Sequence, residues 1–205
     1  MEIIKRTITV HGGQEIYVLM PNVMNQSITC GHDNKGFSIM WANGSGYQFL
    51  AECFSIAAEL KKNEILYLPT HFRGNDEFNQ VFRGFECNFS IVCVNYSEAQ
   101  VSSKDIERVL KVKNYSEEII NRYPEIYRSY PEVWKLYRRL TIKFHKKNMY
   151  ISTNKNGFSM LSYGASNMAE YGDIHYNESL PHAHYDCDEN TSKSIGVTFY
   201  HWHNK

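Results

Sequence analysis

Four of the nine histidines lie near the C-terminus as two His-X-His pairs, His182/His184 and His201/His203. Residues two apart on a strand share a face. A hairpin with His182 opposite His203 would set His184 opposite His201. Four imidazoles would then converge, with Asp186 further along that face. Such a patch could hold zinc. The chain would then be a metal-dependent hydrolase, with Asp186 or Glu189 as base toward an activated water. Against this, His-X-His is a weak pattern that also arises on aromatic surface strands. His32, His71 and His175 lack any supporting spacing and read as surface or satisfied core residues.

A second group follows the same stretch. Asp173, Glu178, Asp186, Asp188 and Glu189 interleave with Tyr176 and Tyr185. Carboxylates mixed with tyrosines suit a surface that docks on a basic partner and steers it in. A polar loop kept soluble by charge has the same composition.

The third group is basic. Residues 101–150 carry 12 Lys and Arg against 6 Asp and Glu, between two mildly acidic flanks. Read as a helix, 135–147 places Lys135, Arg138, Arg139, Lys143 and Lys146 mostly opposite an apolar stripe. Those cations, with Lys147, could neutralise phosphates, and Tyr127, Tyr130 and Trp134 could stack on bases. A solvated amphipathic face explains the pattern equally simply. The zero net charge and the lack of a nucleic-acid motif argue against a nucleic-acid partner.

Other signatures are missing. Asn43-Gly44-Ser45-Gly46 precedes a helix but lacks the Lys-Ser/Thr of a Walker loop, and there is no GxGxxG, GxSxG or HExxH. The five cysteines are odd in number, irregularly spaced and without CxxC, so they read as reduced, mostly buried thiols. The longest apolar runs, 16–20 and 91–94, are far short of the ~20 residues of a membrane helix. No signal-peptide pattern opens the chain. The expectation is a soluble cytoplasmic protein.

The elements that must position these groups can be read from periodicity. Residues 3–10 and 16–20 alternate around Gly12-Gly13 as a hairpin. Segments 27–30 and 37–41 form another pair. Phe49, Leu50, Cys53, Phe54, Ile56, Ala57 and Leu60 recur at helical spacing over 47–62. Segments 65–68 and 88–95 read as strands. Ser102 with Asp105 opens a helical stretch over 103–145, where Ser116 and the Tyr-Pro-Glu repeats at 123–125 and 130–132 supply further helix starts. Segments 149–153 and 158–163 read as strands flanking a turn at 154–157, and 182–185 and 195–203 as the last strands. The expected class is α+β, with antiparallel sheet from both ends and a helical middle. It is one domain over 1–205, with 1–100 and 101–205 as possible subdomains.

The run from Gly44-Ser45-Gly46-Tyr47-Gln48-Phe49-Leu50-Ala51 through Ile56-Ala57 to Glu64-Ile65-Leu66-Tyr67-Leu68 resembles a turn–helix–strand module. That module belongs to small immunity proteins of bacterial polymorphic-toxin and contact-dependent growth inhibition systems. The resemblance implies a non-enzymatic inhibitor, without cofactor, that binds a cognate toxin domain and blocks its active site or substrate surface. A nuclease toxin is the implied target. On that reading Asp173, Tyr176, Glu178, Tyr185, Asp186, Asp188 and Glu189 are the partner surface. The zinc hydrolase and the nucleic-acid binder are its two rivals.

Overall fold

A computed structural model describes residues 1–33, 35, 37–70, 83–99, 101–128, 140–174, 182–185 and 196–201. Alternating residues make the first hairpin, β1 (Glu2–Thr9) and β2 (Glu15–Pro21), with Ile8 opposite Ile16. Gly12 and Gly13 turn it with φ of +89° and +78°, a region open to glycine and costly for other residues. The second hairpin is β3 (Ile28–His32) and β4 (Ser38–Ala42). Helix α1 (Gly44–Ala58) follows directly, then β5 (Glu64–Leu68), the two-residue β6 (Glu86–Cys87) and β7 (Ser90–Asn95). The second half supplies α2 (Ser103–Val109), β8 (Ser116–Asn121), β9 (Thr141–His145), β10 (Asn148–Thr153), α3 (Lys155–Ile174), β11 (His182–Tyr185) and β12 (Val197–His201).

The strands form two sheets, ordered β8-β1-β2-β5-β7-β10-β9 and β11-β12-β4-β3-β6. The class is α+β, as expected. The sheets are mixed rather than antiparallel, because β2/β5, β7/β10 and β4/β12 pair in parallel. Parallel neighbours need long crossovers, and intervening strands and helices provide them here. Each sheet draws strands from both halves of the chain, so a split at residue 100 separates neither sheet.

Helices α1 and α3 pack on each other, and one apolar core runs from the larger sheet through them to the smaller sheet. Leu19, Leu66, Cys93 and Ile151 line up across four strands on the inner face. Tyr47, Phe54, Phe158 and Phe199 bring the helices onto β12, with Phe54 and Phe199 stacked at 6.4 Å. The outer face of the larger sheet has its own cluster, in which Ile106 and Val109 of α2 cover Ile8, Val18, Ile65 and Val92.

The largest departure from the sequence reading lies in 103–145. Among the described residues there, seven are helical, at α2. Ser116, expected to cap a helix, opens β8 instead. The β-branched Ile119 and Ile120 extend the sheet beside β1, and Glu118 and Glu117 reach across to Lys5 and Arg6 at 2.8 and 2.9 Å. The first Tyr-Pro-Glu motif starts no helix. Residues 122–128 cross α1 as irregular chain, held by Arg122 N–H to the Met1 carbonyl and by the Ser55 hydroxyl to the Glu125 carbonyl. The second motif lies outside the described residues. Conversely, 154–157 is no hairpin turn and 158–163 no strand, since Asn154 begins a 20-residue helix. Helix α1 begins three residues before the expected 47 because Asn43 caps it, and Lys61 and Lys62 fall beyond its end.

Candidate functional site

The C-terminal hairpin forms where expected, in a different register. His182 pairs with Tyr200 and His184 with Thr198. Positions 182, 184, 198 and 200 therefore share one face, and His201 takes the other. His182 is exposed and stacks on Tyr200 at 5.3 Å. His201 is 2% exposed and stacks on Tyr47 at 6.0 Å. The Tyr47 hydroxyl donates to the Tyr200 and Met40 carbonyls, which ties α1 to β12 and β4 beneath that histidine. The register that would gather four imidazoles is thus not the one observed. His203 lies outside the described residues, and those residues include no group of three or more His, Cys, Asp and Glu placed to hold a metal.

Of the acidic partner surface, Asp173 falls in the last turn of α3 and Tyr185 in β11. Tyr176, Glu178, Asp186, Asp188 and Glu189 lie outside the described residues. The basic segment is also rearranged. Lys143 belongs to strand β9, and Lys146 and Lys147 to the tight turn into β10, so no helix over 135–147 carries them. Lys135, Arg138 and Arg139 are not among the described residues. Lys146 bonds Glu107 at 2.5 Å and Lys147 bonds Glu86 at 3.1 Å. His145 Nε2 also lies 3.0 Å from Glu107, and the Lys146 contact holds that carboxyl below the usual carboxylate range. Two of the cations offered to phosphates are therefore committed to carboxylates.

Cys30, Cys53 and Cys93 are buried free thiols, as expected, and burial raises the pKa of each. Cys87 is half-buried and pushed up to about 11, again by burial first. None is poised as a nucleophile.

The sequence reading missed the open edge of the larger sheet. Among the described residues β8 pairs with β1 alone, and its outer side faces no other described strand, an edge of the kind that can accept one. Ile119, on that edge, is 64% exposed, and Tyr123, just past its end, is 88% exposed. Val23 stands exposed at the same corner, where the Asn22 N–H bonds the Glu2 carbonyl and the Arg122 N–H bonds that of Met1. Glu117 and Glu118 flank the apolar side chains. Beneath the corner, Arg122 pairs with Glu64 at 2.6 Å, and Glu64 also accepts from the Lys61 N–H at 2.8 Å. The edge therefore rests on a fixed base. Its signal in the sequence is Ile119-Ile120 beside Glu117-Glu118, a pattern that a helix start shares.

No helix of the described residues is long and apolar enough to cross a membrane. No family model, curated protein or solved structure matches the chain.

Proposed function

We propose that this chain is an immunity-type inhibitor that binds a cognate bacterial toxin domain and blocks its active site or substrate surface. The observation that carries this reading is the open β8 edge, with Ile119 and Tyr123 exposed beside Glu117 and Glu118. Unpaired strand edges bind partners by adding a strand, and exposed aromatic and β-branched side chains supply the contact area. Glu117 and Glu118 are paired with Arg6 and Lys5, so the charge that would draw a basic partner, such as a nuclease domain, comes from the carboxylates of the 173–189 sequence. The turn–helix–strand run over 44–68 folds as α1 and β5, which is compatible with the resemblance noted for it.

The test is co-expression of the tagged chain with the toxin-like C-terminal domain encoded beside it. A stoichiometric complex, with cells protected from the toxin domain, supports the reading. Failure to form a complex, with no protection, overturns it.

A further inference from the structure

We propose that a groove on the outer face of the larger sheet, beside α2, is a binding site for a small monocarboxylate with an aromatic body. Helix α2 is too short to cover the whole face. Its Ile106 and Val109 sit over β1, β2, β5 and β7, and past them the face of β7, β10 and β9 continues. A groove of about 540 Å³ lies there. That is within the range of small-molecule sites, roughly 300–1,000 Å³.

The register explains its lining. Val94, Ser152 and Thr141 form one cross-strand row, and Val92, Tyr150 and Lys143 the next. Ile106, Val101 and the Tyr96 ring supply apolar walls. The groove thus joins an apolar body to a short line of donors: the Lys143 ammonium and the hydroxyls of Tyr150, Thr141 and Ser152.

Two observations point to an anion. The Tyr150 hydroxyl is shielded from solvent; the Asn148 amide lies beside it as a donor, and its own O–H finds no acceptor among the described residues. A buried O–H left without an acceptor is costly, and a ligand oxygen would satisfy it. Burial raises its pKa, so the phenol stays protonated and donates. Lys143 has no carboxylate in ion-pair range among the described residues, whereas Lys146 is taken by Glu107 at the end of the groove. One ammonium without a carboxylate among the described residues matches one negative charge. A dianionic phosphate would need a second cation, and the others near the groove, Lys146 and His145, are already on Glu107. The exposed Tyr96 ring offers a stacking face, which favours an aromatic body over a linear acyl chain.

This site is independent of the toxin reading. The test is calorimetric titration of the intact chain with 1-naphthoate, its neutral isostere 1-naphthalenemethanol, and 1-naphthyl phosphate. The expected order is 1-naphthoate tightest, with the alcohol weaker by about tenfold or more, the worth of a charge-assisted bond. Lys143→Met should weaken 1-naphthoate by about tenfold and leave the alcohol unchanged. Tyr150→Phe should weaken 1-naphthoate as well. It removes a hydroxyl whose O–H has no acceptor among the described residues, so the melting temperature should hold, and loss of binding with an unchanged melting temperature cannot be ascribed to unfolding. Equal binding of acid and alcohol, tighter binding of the phosphate, unchanged affinity in Lys143→Met, or no heat with 1-naphthoate at about 1 mM overturns the proposal.

Discussion

Gly46 and Gly157 hold the same place in two strand-to-helix turns, each packed against the last residue of the strand that precedes it. Asn43-Gly44-Ser45-Gly46-Tyr47 leads β4 into α1, and Asn154-Lys155-Asn156-Gly157-Phe158 leads β10 into α3. In each, the asparagine side chain accepts from the glycine N–H, at 2.8 and 3.0 Å. In each, the aromatic after the glycine is fully buried in the shared core. The two helices that pack on each other are thus launched by one device used twice, once from each sheet.

Alanine at these glycines tests that device, because two effects oppose each other. Helix propensity favours Ala over Gly by about 1 kcal/mol. A Cβ at Gly157 would lie 1.9 Å from Thr153 Oγ1, and one at Gly46 would lie 2.8 Å from the Ala42 Cβ. Overpacking of this kind costs about 1–3 kcal/mol. The clash wins, so Gly157→Ala and Gly46→Ala should both lower stability in urea unfolding. A gain of about 1 kcal/mol would mean that the strands and helices are not so closely joined.

This pair also shows what the sequence reveals and what it hides. Asn154-Lys155-Asn156-Gly157 has the composition of a hairpin turn, and a cap and a turn use the same residues. Only the 20 helical residues that follow decide between them. Strands β1, β2, β4, β5 and β10 were legible because alternation and β-branched content agree there. β8 was not, since Ile119-Ile120 after two glutamates fits a helix start equally well. Its pairing with β1 bridges more than a hundred residues, a separation that local pattern cannot express. The histidines were legible as a hairpin and illegible in register. The strand β12 that fixes them pairs on its other side with β4.

The buried ion pair under the β8 corner should be costly to break. Glu64 is 5% exposed and relies on Arg122 and the Lys61 N–H. Arg122→Met leaves that carboxylate uncompensated, which costs about 3 kcal/mol, the low end for buried pairs because Arg122 keeps some solvent contact. Adding Glu64→Met should recover part of the loss. Denaturant midpoints of the single and double variants decide it. If the double variant is no more stable than Arg122→Met, the penalty does not come from a stranded charge.

The Glu107 contacts make a pH-dependent contribution. Hydrogen bonding to Lys146, aided by His145, lowers the Glu107 pKa from its ordinary 4.5. A carboxyl depressed in the folded state stabilises it fully above its unfolded pKa, and that stability is lost as the pH falls through the depressed value. Glu107→Gln should therefore be less stable than the parent at pH 7 and equal to it in strong acid. Melting temperatures from pH 7 down to about pH 2 give the comparison, the range over which a carboxylate titrates. A difference that persists unchanged at the acid end would locate the effect in packing, not charge.

The β8 edge separates binding from folding. Ile119 and Tyr123 have most of their surface in water, so Ile119→Lys and Tyr123→Ser should change stability by no more than about 0.5 kcal/mol. If they anchor the toxin contact, each should cost about 1–2 kcal/mol of affinity, mostly as faster dissociation. A positive charge at 119 adds repulsion toward a basic partner, so its penalty should shrink as salt is raised. Dissociation rates of the purified complex at low and high ionic strength measure both effects. Rates unchanged in both variants would move the interface off β8, and the 173–189 segment, with its carboxylates and tyrosines, would be the next surface to substitute.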